Sequence, residues 1–172
     1  MKYLIVAIFA TSIILSPSCN LSDNGFGVAP FETTEAGLNW FSIEDLEQMK
    51  NIGSRKILVD VYTGWCGWCK KMDQNTFTDP AVVAFLNKNY VLVKLNAEQK
   101  EAIQFKGETY ESVKIGRRKT NKLAVKFLDG RLDYPTIVYL DGGSLKKIKL
   151  SFGYKDAQQL LKELHALTPI TS

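Results

Sequence analysis

Hydrophobic and polar residues alternate along this chain in blocks that predict a β-sheet with helices between its strands. Two runs are almost continuously apolar and β-branched, Lys56 to Tyr62 and Tyr90 to Asn96, which is typical of strands buried on both faces. A third run, Ile137 to Leu140, and a fourth, Lys146 to Leu150, flank Asp141 to Ser144. The glycines in that short segment allow positive φ angles, so it predicts a hairpin.

Segments with helical spacing lie between and after these strands. A helix is predicted from Ser42 to Ile52, with serine as N-cap and Gly53 at its end. A second is predicted from Asp79 to Asn87, because Pro80 suits the first position of a helix. A last amphipathic helix is predicted from Asp156 to Leu167, with its leucines facing inward. The alternation of strands and helices predicts an α/β fold.

Composition narrows the class of protein. The 172 residues are 45% hydrophobic and 23% charged, which fits one globular domain with a substantial core. The net charge of +4 is modest, and the densest basic block is only Arg117 to Lys119. A nucleic-acid partner is therefore not expected.

Residues 1–18 differ from the rest of the chain. Lys2 precedes a short apolar run that ends in small residues, which is typical of an export signal. The run is short for a membrane span. The pattern from Leu15 to Cys19 resembles the cleavage box of bacterial lipoproteins, although its aliphatic residue lies four places before the cysteine instead of three.

Cys19 is therefore a predicted lipidation site, and residues 19–40 are a predicted tether or N-terminal extension. The alternative is a signal cut nearby that leaves Cys19 without a role. In either case we expect the protein to be exported, and with a lipid it would be anchored to a membrane.

The eight residues from Thr63 to Lys70 contain two of the three cysteines and two of the three tryptophans. A structural zinc site needs four ligands, and the sole histidine, His165, lies far along the chain. Covalent haem is disfavoured because lysine, and not histidine, follows Cys69. A disulfide that closes so short a loop adds little stability as a static staple. The preferred interpretation is a reversible dithiol, with no metal and no cofactor.

The predicted local structure favours redox chemistry at this pair. Cys66 and Cys69 follow the strand from Lys56 to Tyr62, and Lys70 to Asp73 favours a helix. Unpaired N–H groups and the helix dipole at a helix N-terminus stabilise a thiolate. A spacing of three residues places both side chains on one helix face. We expect Cys66 to be the exposed nucleophile and Cys69 the shielded resolving thiol.

The segment from Leu58 to Lys70 resembles the active-site segment of thioredoxins, which have the same tryptophan, glycine and lysine around the cysteines. Asp60 lies six residues before Cys66, where thioredoxins keep a buried acid. Asp133 to Asp141 is similar to the Pro-Thr segment of the family. The resemblance implies a thioredoxin-like domain over residues 41–172, with an α/β fold, a central mixed β-sheet flanked by helices and an insertion before a cis-proline.

The resemblance also implies roles for individual residues. Pro135 is expected in the cis form against the disulfide, and the backbone of Tyr134 is expected to pair with a bound substrate chain. Asp60 is expected to have a raised pKa and to help deprotonate Cys69. The expected substrate contacts are Trp65, Gly67, Trp68 and Tyr134.

Trp68 replaces the proline that is usual between the cysteines. In this respect the motif is closer to exported thioredoxin-like proteins and to the reducing module of transmembrane disulfide reductases. The resemblance implies a thiol–disulfide oxidoreductase on the periplasmic side of a bacterial membrane. It would reduce disulfides of exported proteins and take electrons from another thiol protein. A disulfide isomerase or oxidase of the same fold and a non-catalytic, redox-sensitive binding module are the alternatives.

The segment from Ala97 to Lys122 exceeds a minimal thioredoxin. Phe105 to Tyr110 predicts a small hairpin, and the basic run from Gly116 to Lys119 follows it. The simplest interpretation is a surface elaboration with solvated charges. The alternative is a rim beside the active site that helps to select partners.

Overall fold

The structure is a computed structural model that describes residues 37–49, 52–53 and 55–168. The predicted export signal, Cys19 and most of the predicted tether lie outside the described residues. No helix in the described ranges combines the length and the apolar character that crossing a membrane requires.

The described part of the chain contains nine strands and five helices. They are β1 (Trp40–Phe41), α1 (Ile43–Gln48), β2 (Lys56–Tyr62), α2 (Gly67–Asn75), α3 (Pro80–Asn89), β3 (Tyr90–Asn96), β4 (Ile103–Phe105), β5 (Glu108–Tyr110), β6 (Ser112–Ile115), β7 (Arg118–Asn121), α4 (Lys122–Phe127), β8 (Thr136–Leu140), β9 (Lys147–Phe152) and α5 (Ala157–Leu167).

Five strands form one mixed sheet in the order β1-β3-β2-β8-β9. β1 and β2 run parallel to β3, whereas β8 is antiparallel to both β2 and β9. β2 and β3 pair residue for residue along their whole length, from Lys56 with Tyr90 to Tyr62 with Asn96. The predicted central mixed sheet of an α/β fold is confirmed.

Apolar clusters cover both faces of this sheet, because successive side chains of a strand point to opposite sides. Val59 of β2 belongs to the cluster that packs against α1, α4 and the β4–β5 hairpin. Leu58 belongs to the opposite cluster, which packs against α2, α3 and α5. Asp60 is two residues after Leu58 and therefore lies on the same face as α2.

The segment from Ala97 to Lys122 contains two separate antiparallel hairpins, β4–β5 and β6–β7. In the first, Ile103, Phe105 and Tyr110 are buried in the core. The interpretation of the whole segment as a solvated surface elaboration is therefore wrong for this hairpin, whose alternate side chains extend the apolar cluster over α4. In β6 and β7 the residues nearest the turn, Lys114, Ile115, Arg118 and Lys119, are exposed, whereas Thr120 and Asn121 are buried.

The first helix is shorter than predicted. Ser42 is the N-cap, and its Oγ accepts a hydrogen bond from the backbone N–H of Asp45 at 3.0 Å. The helix ends at Gln48 because the backbone of Met49 is extended. Met49 and Ile52 still pack against the core. Their apolar spacing predicted contact with the core correctly, but the helical conformation through Ile52 was wrong.

The turn before β9 uses its glycines differently from the prediction. The positive φ belongs to Leu145, at 54°, and not to Gly142 or Gly143. Gly142 instead approaches the carbonyl oxygen of Arg55, which would lie 2.0 Å from an added Cβ. The glycine is therefore required for space and not for backbone conformation.

β1 is a two-residue strand that no periodicity could predict. Trp40 pairs with Leu92 in the sheet, and its ring meets Phe77 edge-on with a centroid distance of 4.9 Å. Trp40 is therefore a packing residue at the start of the domain.

Candidate active site

Cys66 and Cys69 lie where β2 leads into α2. Cys66 is the N-cap of α2, and its Sγ accepts a hydrogen bond from the backbone N–H of Cys69 at 3.0 Å. The two sulfurs form a disulfide with an S–S distance of 2.05 Å and a Cα–Cα distance of 5.3 Å. The predicted position at a strand–helix junction and the pairing of these cysteines are confirmed.

Exposure does not distinguish the two cysteines in this disulfide form. Cys66 is 4% exposed and Cys69 is 3% exposed, so the expectation of an exposed Cys66 is wrong here. The physical reason is the capping contact, which turns the Cys66 side chain back over the first turn of α2. The difference between them is one of position, because Cys66 caps the positive end of the helix dipole and Cys69 lies inside the first turn.

The register of the sheet brings a second loop to the same edge. Val61 pairs with Thr136 in the antiparallel β2–β8 ladder, so the end of β2 meets the start of β8. Pro135 directly precedes β8; it is buried, and the Tyr134–Pro135 peptide bond is cis, as predicted. The rings of Trp65 and Tyr134 meet edge-on with a centroid distance of 6.0 Å. The cysteine loop and the proline loop are therefore in contact.

Both tryptophans of the motif are largely exposed, Trp65 by 51% and Trp68 by 57%. Trp65 lies between the Tyr134 ring and the guanidinium of Arg118, which is 4.1 Å from its ring centroid. Trp68 packs against Tyr154, with a centroid distance of 5.3 Å. The two rings present apolar surface, and each tryptophan directly precedes one of the two cysteines in the sequence.

The other predicted substrate contacts are Gly67 and Tyr134. Gly67 is the exposed first residue of α2, and a Cβ there would meet no atom within 4 Å. Burial raises the pKa of the half-buried Tyr134 to about 12, and the carboxylates of Glu98 and Asp133 add to the rise. The phenol of Tyr134 is therefore neutral at physiological pH.

Asp60 is a buried acid, 2% exposed, in the middle of β2. Burial raises its pKa above the ordinary value of a carboxyl, and the attraction of Lys94 offsets only part of the rise. The Nζ atom of Lys94 donates to Asp60 Oδ2 at 2.6 Å and also to Asp73 of α2. Among the described residues, Asp60 Oδ1 has no hydrogen-bond partner. The predicted rise in pKa is confirmed, and Oδ1 is the oxygen that is open to a proton.

Lys94 is a residue of this site that was not predicted from the sequence. It stands opposite Asp60 because β2 and β3 pair without a register shift. The sequence contained a signal for this pair, because the fifth residue of β2 is the acidic Asp60 and the fifth residue of β3 is the basic Lys94. Aligning the two strands would have paired these charges.

The architecture and the cysteine motif together define a thioredoxin fold. The family model of the thioredoxin-like domain matches residues 43–168. The chain therefore belongs to the thioredoxin-like domain family.

Curated relatives carry names that refer to thiol–disulfide chemistry. The thiol:disulfide interchange protein DsbD of Pectobacterium atrosepticum is 27% identical over 133 residues, which cover 74% of this chain and 19% of that protein. DsbD of Vibrio vulnificus is 33% identical over 64 residues, which cover 36% of this chain and 11% of that protein. The chain thus spans about a fifth or less of the length of these relatives.

Solved structures show the same fold at low sequence identity. A thioredoxin from Thermus thermophilus has a TM-score of 0.56 and 20% identity, and the match covers 77% of this chain and 88% of that one. The DsbH oxidoreductase has a TM-score of 0.52 and 18% identity, with 78% of this chain and 87% of that one covered.

Proposed function

We propose that the protein is a thiol–disulfide oxidoreductase that reduces disulfides in exported proteins. The observation that carries the proposal is the Cys66–Cys69 disulfide, which closes at the N-terminus of α2 beside the loop of Pro135. A disulfide between two cysteines so placed can be reduced and re-formed without a rearrangement of the helix around them. The similarity to proteins named for thiol–disulfide interchange supports the same reaction here.

The proposed reaction has two exchange steps. The Cys66 thiolate of the reduced protein attacks one sulfur of a substrate disulfide, and the other substrate sulfur leaves as a thiolate that takes up a proton. The Cys69 thiolate then attacks Cys66 Sγ, closes the Cys66–Cys69 disulfide and releases the second substrate thiolate, which is also protonated. The substrate gains two electrons and this protein loses two. A dithiol protein of the same compartment would return them.

The order of attack can be tested by alkylation and trapping. Because Cys66 caps α2, its thiol pKa in the reduced protein should fall below the free value of about 8.5, so it should alkylate first at neutral pH. The Cys69→Ser variant should accumulate mixed disulfides that mass spectrometry identifies, whereas Cys66→Ser should accumulate none. Adducts that form through Cys69 would contradict this order. No adducts, together with no thiol-dependent reduction of insulin, would favour a binding module.

We propose that Asp60 is the general base for Cys69. Its buried position and the open Oδ1 support this role. Asp60→Asn should slow disulfide exchange by about ten- to a hundredfold. Asp73→Asn is the matched control, because it removes the other carboxylate on Lys94 at a more exposed site. Equal exchange rates in wild type and Asp60→Asn between about pH 6 and pH 9 would reduce Asp60 to a polar residue of the core.

Asp60 should also impose a pH dependence on stability. Its folded-state pKa is raised by burial, so its contribution to stability is present below the unfolded pKa and is lost as the pH rises through the folded pKa. The free energy of unfolding of the oxidised wild type should therefore fall as the pH rises from the unfolded-state pKa of Asp60 through its folded-state pKa. Asp60→Asn should flatten the fall and be the more stable protein near neutral pH. Urea unfolding at a series of pH values measures both effects.

The reducing direction can be tested by equilibrium. Titration of the Cys66–Cys69 pair against reduced and oxidised glutathione gives its reduction potential. A potential near that of reducing thioredoxins, about −270 mV, would support the proposal. A strongly oxidising potential, near about −120 mV, would favour an oxidase instead.

We propose that the protein is exported and anchored to the periplasmic face of a bacterial membrane through lipid on Cys19. The support is the sequence pattern that ends at this cysteine. The wild type should incorporate labelled fatty acid and fractionate with membranes, and Cys19→Ala should do neither. A wild type that takes up no lipid and stays in the soluble fraction would exclude the anchor.

A further inference from the structure

We propose that the β6–β7 hairpin and the loop before Pro135 form a subsite that binds an acidic side chain of the substrate, close to the cysteine under attack. This inference rests on the proposed function and specifies its substrate class. The subsite would favour disulfides whose flanking residues carry Asp or Glu.

A cavity of about 300 Å³ lies between the hairpin and the active-site loops. Trp65 and Tyr134 form one wall, so the cavity adjoins both the disulfide loop and the proline loop. Leu132 and Ile115 add apolar surface, and Ile115 is 38% exposed. The thioredoxin resemblance implies that a substrate chain pairs with the backbone of Tyr134, and the side chains next to that pairing would lie at this cavity.

The two arginines that line the cavity differ in whether they already form an ion pair within the protein. Arg118 stacks on Trp65 and pairs with Glu98 at 3.2 Å, so it forms part of the wall. Arg117 is exposed at the tip of the hairpin and lines the same cavity. Within the described ranges, no carboxylate forms an ion pair with Arg117. Arg117 is therefore the cation that remains open to a ligand.

The carboxylates near the cavity are already neutralised. Glu98, which lines it, is paired with Arg118. Asp133 lies beside Tyr134 in the sequence and pairs with Arg131 at 2.5 Å. A substrate carboxylate would therefore meet the free guanidinium of Arg117 without an unpaired negative charge beside it. Charge complementarity selects an acidic side chain, and the apolar walls accommodate its stem and its neighbours.

The hairpin also contains a matched control. Ile115 pairs with Arg118 across the ladder, and both line the cavity. Lys114 pairs with Lys119 at the adjacent position, so these two side chains point to the opposite face. Arg117→Glu and Lys119→Glu change the net charge equally, but only the first places a carboxylate in the cavity.

The test uses disulfide-linked dimers of one short peptide, with Glu, Gln or Lys on both sides of its cysteine. The rate of reduction by the reduced protein is followed by tryptophan fluorescence, and it is divided by the rate with dithiothreitol to remove intrinsic reactivity. For the wild type we expect the Glu peptide to be faster than the Gln peptide by about three- to tenfold at low salt, and the preference to shrink with added salt.

The variants distinguish an effect of the cavity on substrate preference from the general attraction of acidic peptides to a positively charged protein. Arg117→Gln should abolish most of the preference, and Arg117→Glu should reverse it toward the Lys peptide. Lys119→Glu, and Lys88→Glu in the last turn of α3, should keep it within about twofold. An equal loss in Arg117→Glu and Lys119→Glu would show that the cavity does not select the substrate.

The remaining outcomes distinguish this inference from the function on which it rests. Reduction of all three peptides at equal normalised rates would overturn the acidic subsite and leave the reductase standing. Failure of the wild type to reduce any of them would overturn the reductase and the subsite together.

Discussion

The two hairpins of the segment from Ala97 to Lys122 have the same topology and opposite uses. β4–β5 gives three large apolar side chains to the core, and the ring of Phe105 meets Phe127 of α4 edge-on with a centroid distance of 5.3 Å. β6–β7 exposes the side chains nearest its turn and lines the cavity beside Trp65. One insertion thus contains a piece of the core and a piece of the surface that lines the proposed substrate cavity.

The two hairpins differ because different types of residue occupy their strand positions. In β4 and β5 the buried positions are occupied by isoleucine, phenylalanine and tyrosine, whereas the four exposed positions of β6 and β7 carry two lysines, an arginine and an isoleucine. Mutations at the buried positions of the first hairpin, and at the buried Thr120 and Asn121 that end β7, should therefore act on stability. Mutations at the exposed positions of the second hairpin should act on substrate choice.

Phe105→Ala should have the largest effect. Truncating a buried phenylalanine leaves a cavity between β4 and α4, and we expect a loss of about 3–5 kcal/mol in the free energy of unfolding. Gln104→Ala in the same strand is the control, because Gln104 is exposed and should change stability by about 0.5 kcal/mol or less. Urea unfolding measures both. A small effect of Phe105→Ala would place β4–β5 outside the core.

Asn121→Ala should have the second largest effect. This fully buried side chain caps α4 through the N–H of Leu123 and donates to the carbonyls of Tyr110 and Glu101. Leaving these groups without partners should cost about 2–3 kcal/mol.

Asn121→Ser separates the two contributions of this residue. Serine can keep the cap, so it should recover about 1 kcal/mol relative to alanine. Equal stabilities of the two variants would mean that the cap contributes nothing.

Glu108→Gln should produce a smaller, pH-dependent effect at the rim of the first hairpin. Hydrogen bonds from Tyr110, at 2.5 Å, and from Lys126 lower the pKa of Glu108. A lowered folded-state pKa gives stability that is present above the unfolded pKa and is lost as the pH falls through the folded one. The difference in melting temperature between wild type and variant should therefore be present at neutral pH and disappear in acid. A difference that persists in acid would contradict the pKa assignment.

Ile115→Ala in the second hairpin should have the smallest effect on stability, within about 0.5 kcal/mol, because the side chain is partly exposed. If Ile115 is a wall of the substrate cavity, the variant should still lose part of the rate on peptides with apolar residues next to cysteine. A large loss of stability, with unchanged peptide rates, would contradict the division between the two hairpins.

The sequence predicted the parts of the fold that depend on long, uniform patterns. β2 and β3 have the predicted bounds because each is a continuous apolar run, and the cysteine motif predicted its own position at the start of α2. The Phe105 to Tyr110 hairpin was also predicted, but its burial was not, since alternation in a short strand does not reveal which face meets the core.

The remaining errors involve contacts and backbone conformations that the spacing of apolar residues does not specify. The requirement for glycine at Gly142 comes from the carbonyl of Arg55, and the end of α1 at Gln48 was not marked by any breaker in the sequence. The burial of Cys66 depends on its contact with the backbone of Cys69, which helical spacing alone does not specify. Such features become visible only when the chain is folded.

The pairing of Asp60 with Lys94 has a further consequence for assembly of the sheet. A slip of β3 by one residue would turn Lys94 toward the apolar cluster of Val59 and leave both charges buried without partners. A misaligned sheet would thus be penalised where its two longest strands, β2 and β3, pair in parallel. The Asp60–Lys94 pair therefore specifies the register of β2 and β3, which are otherwise two similar apolar strands.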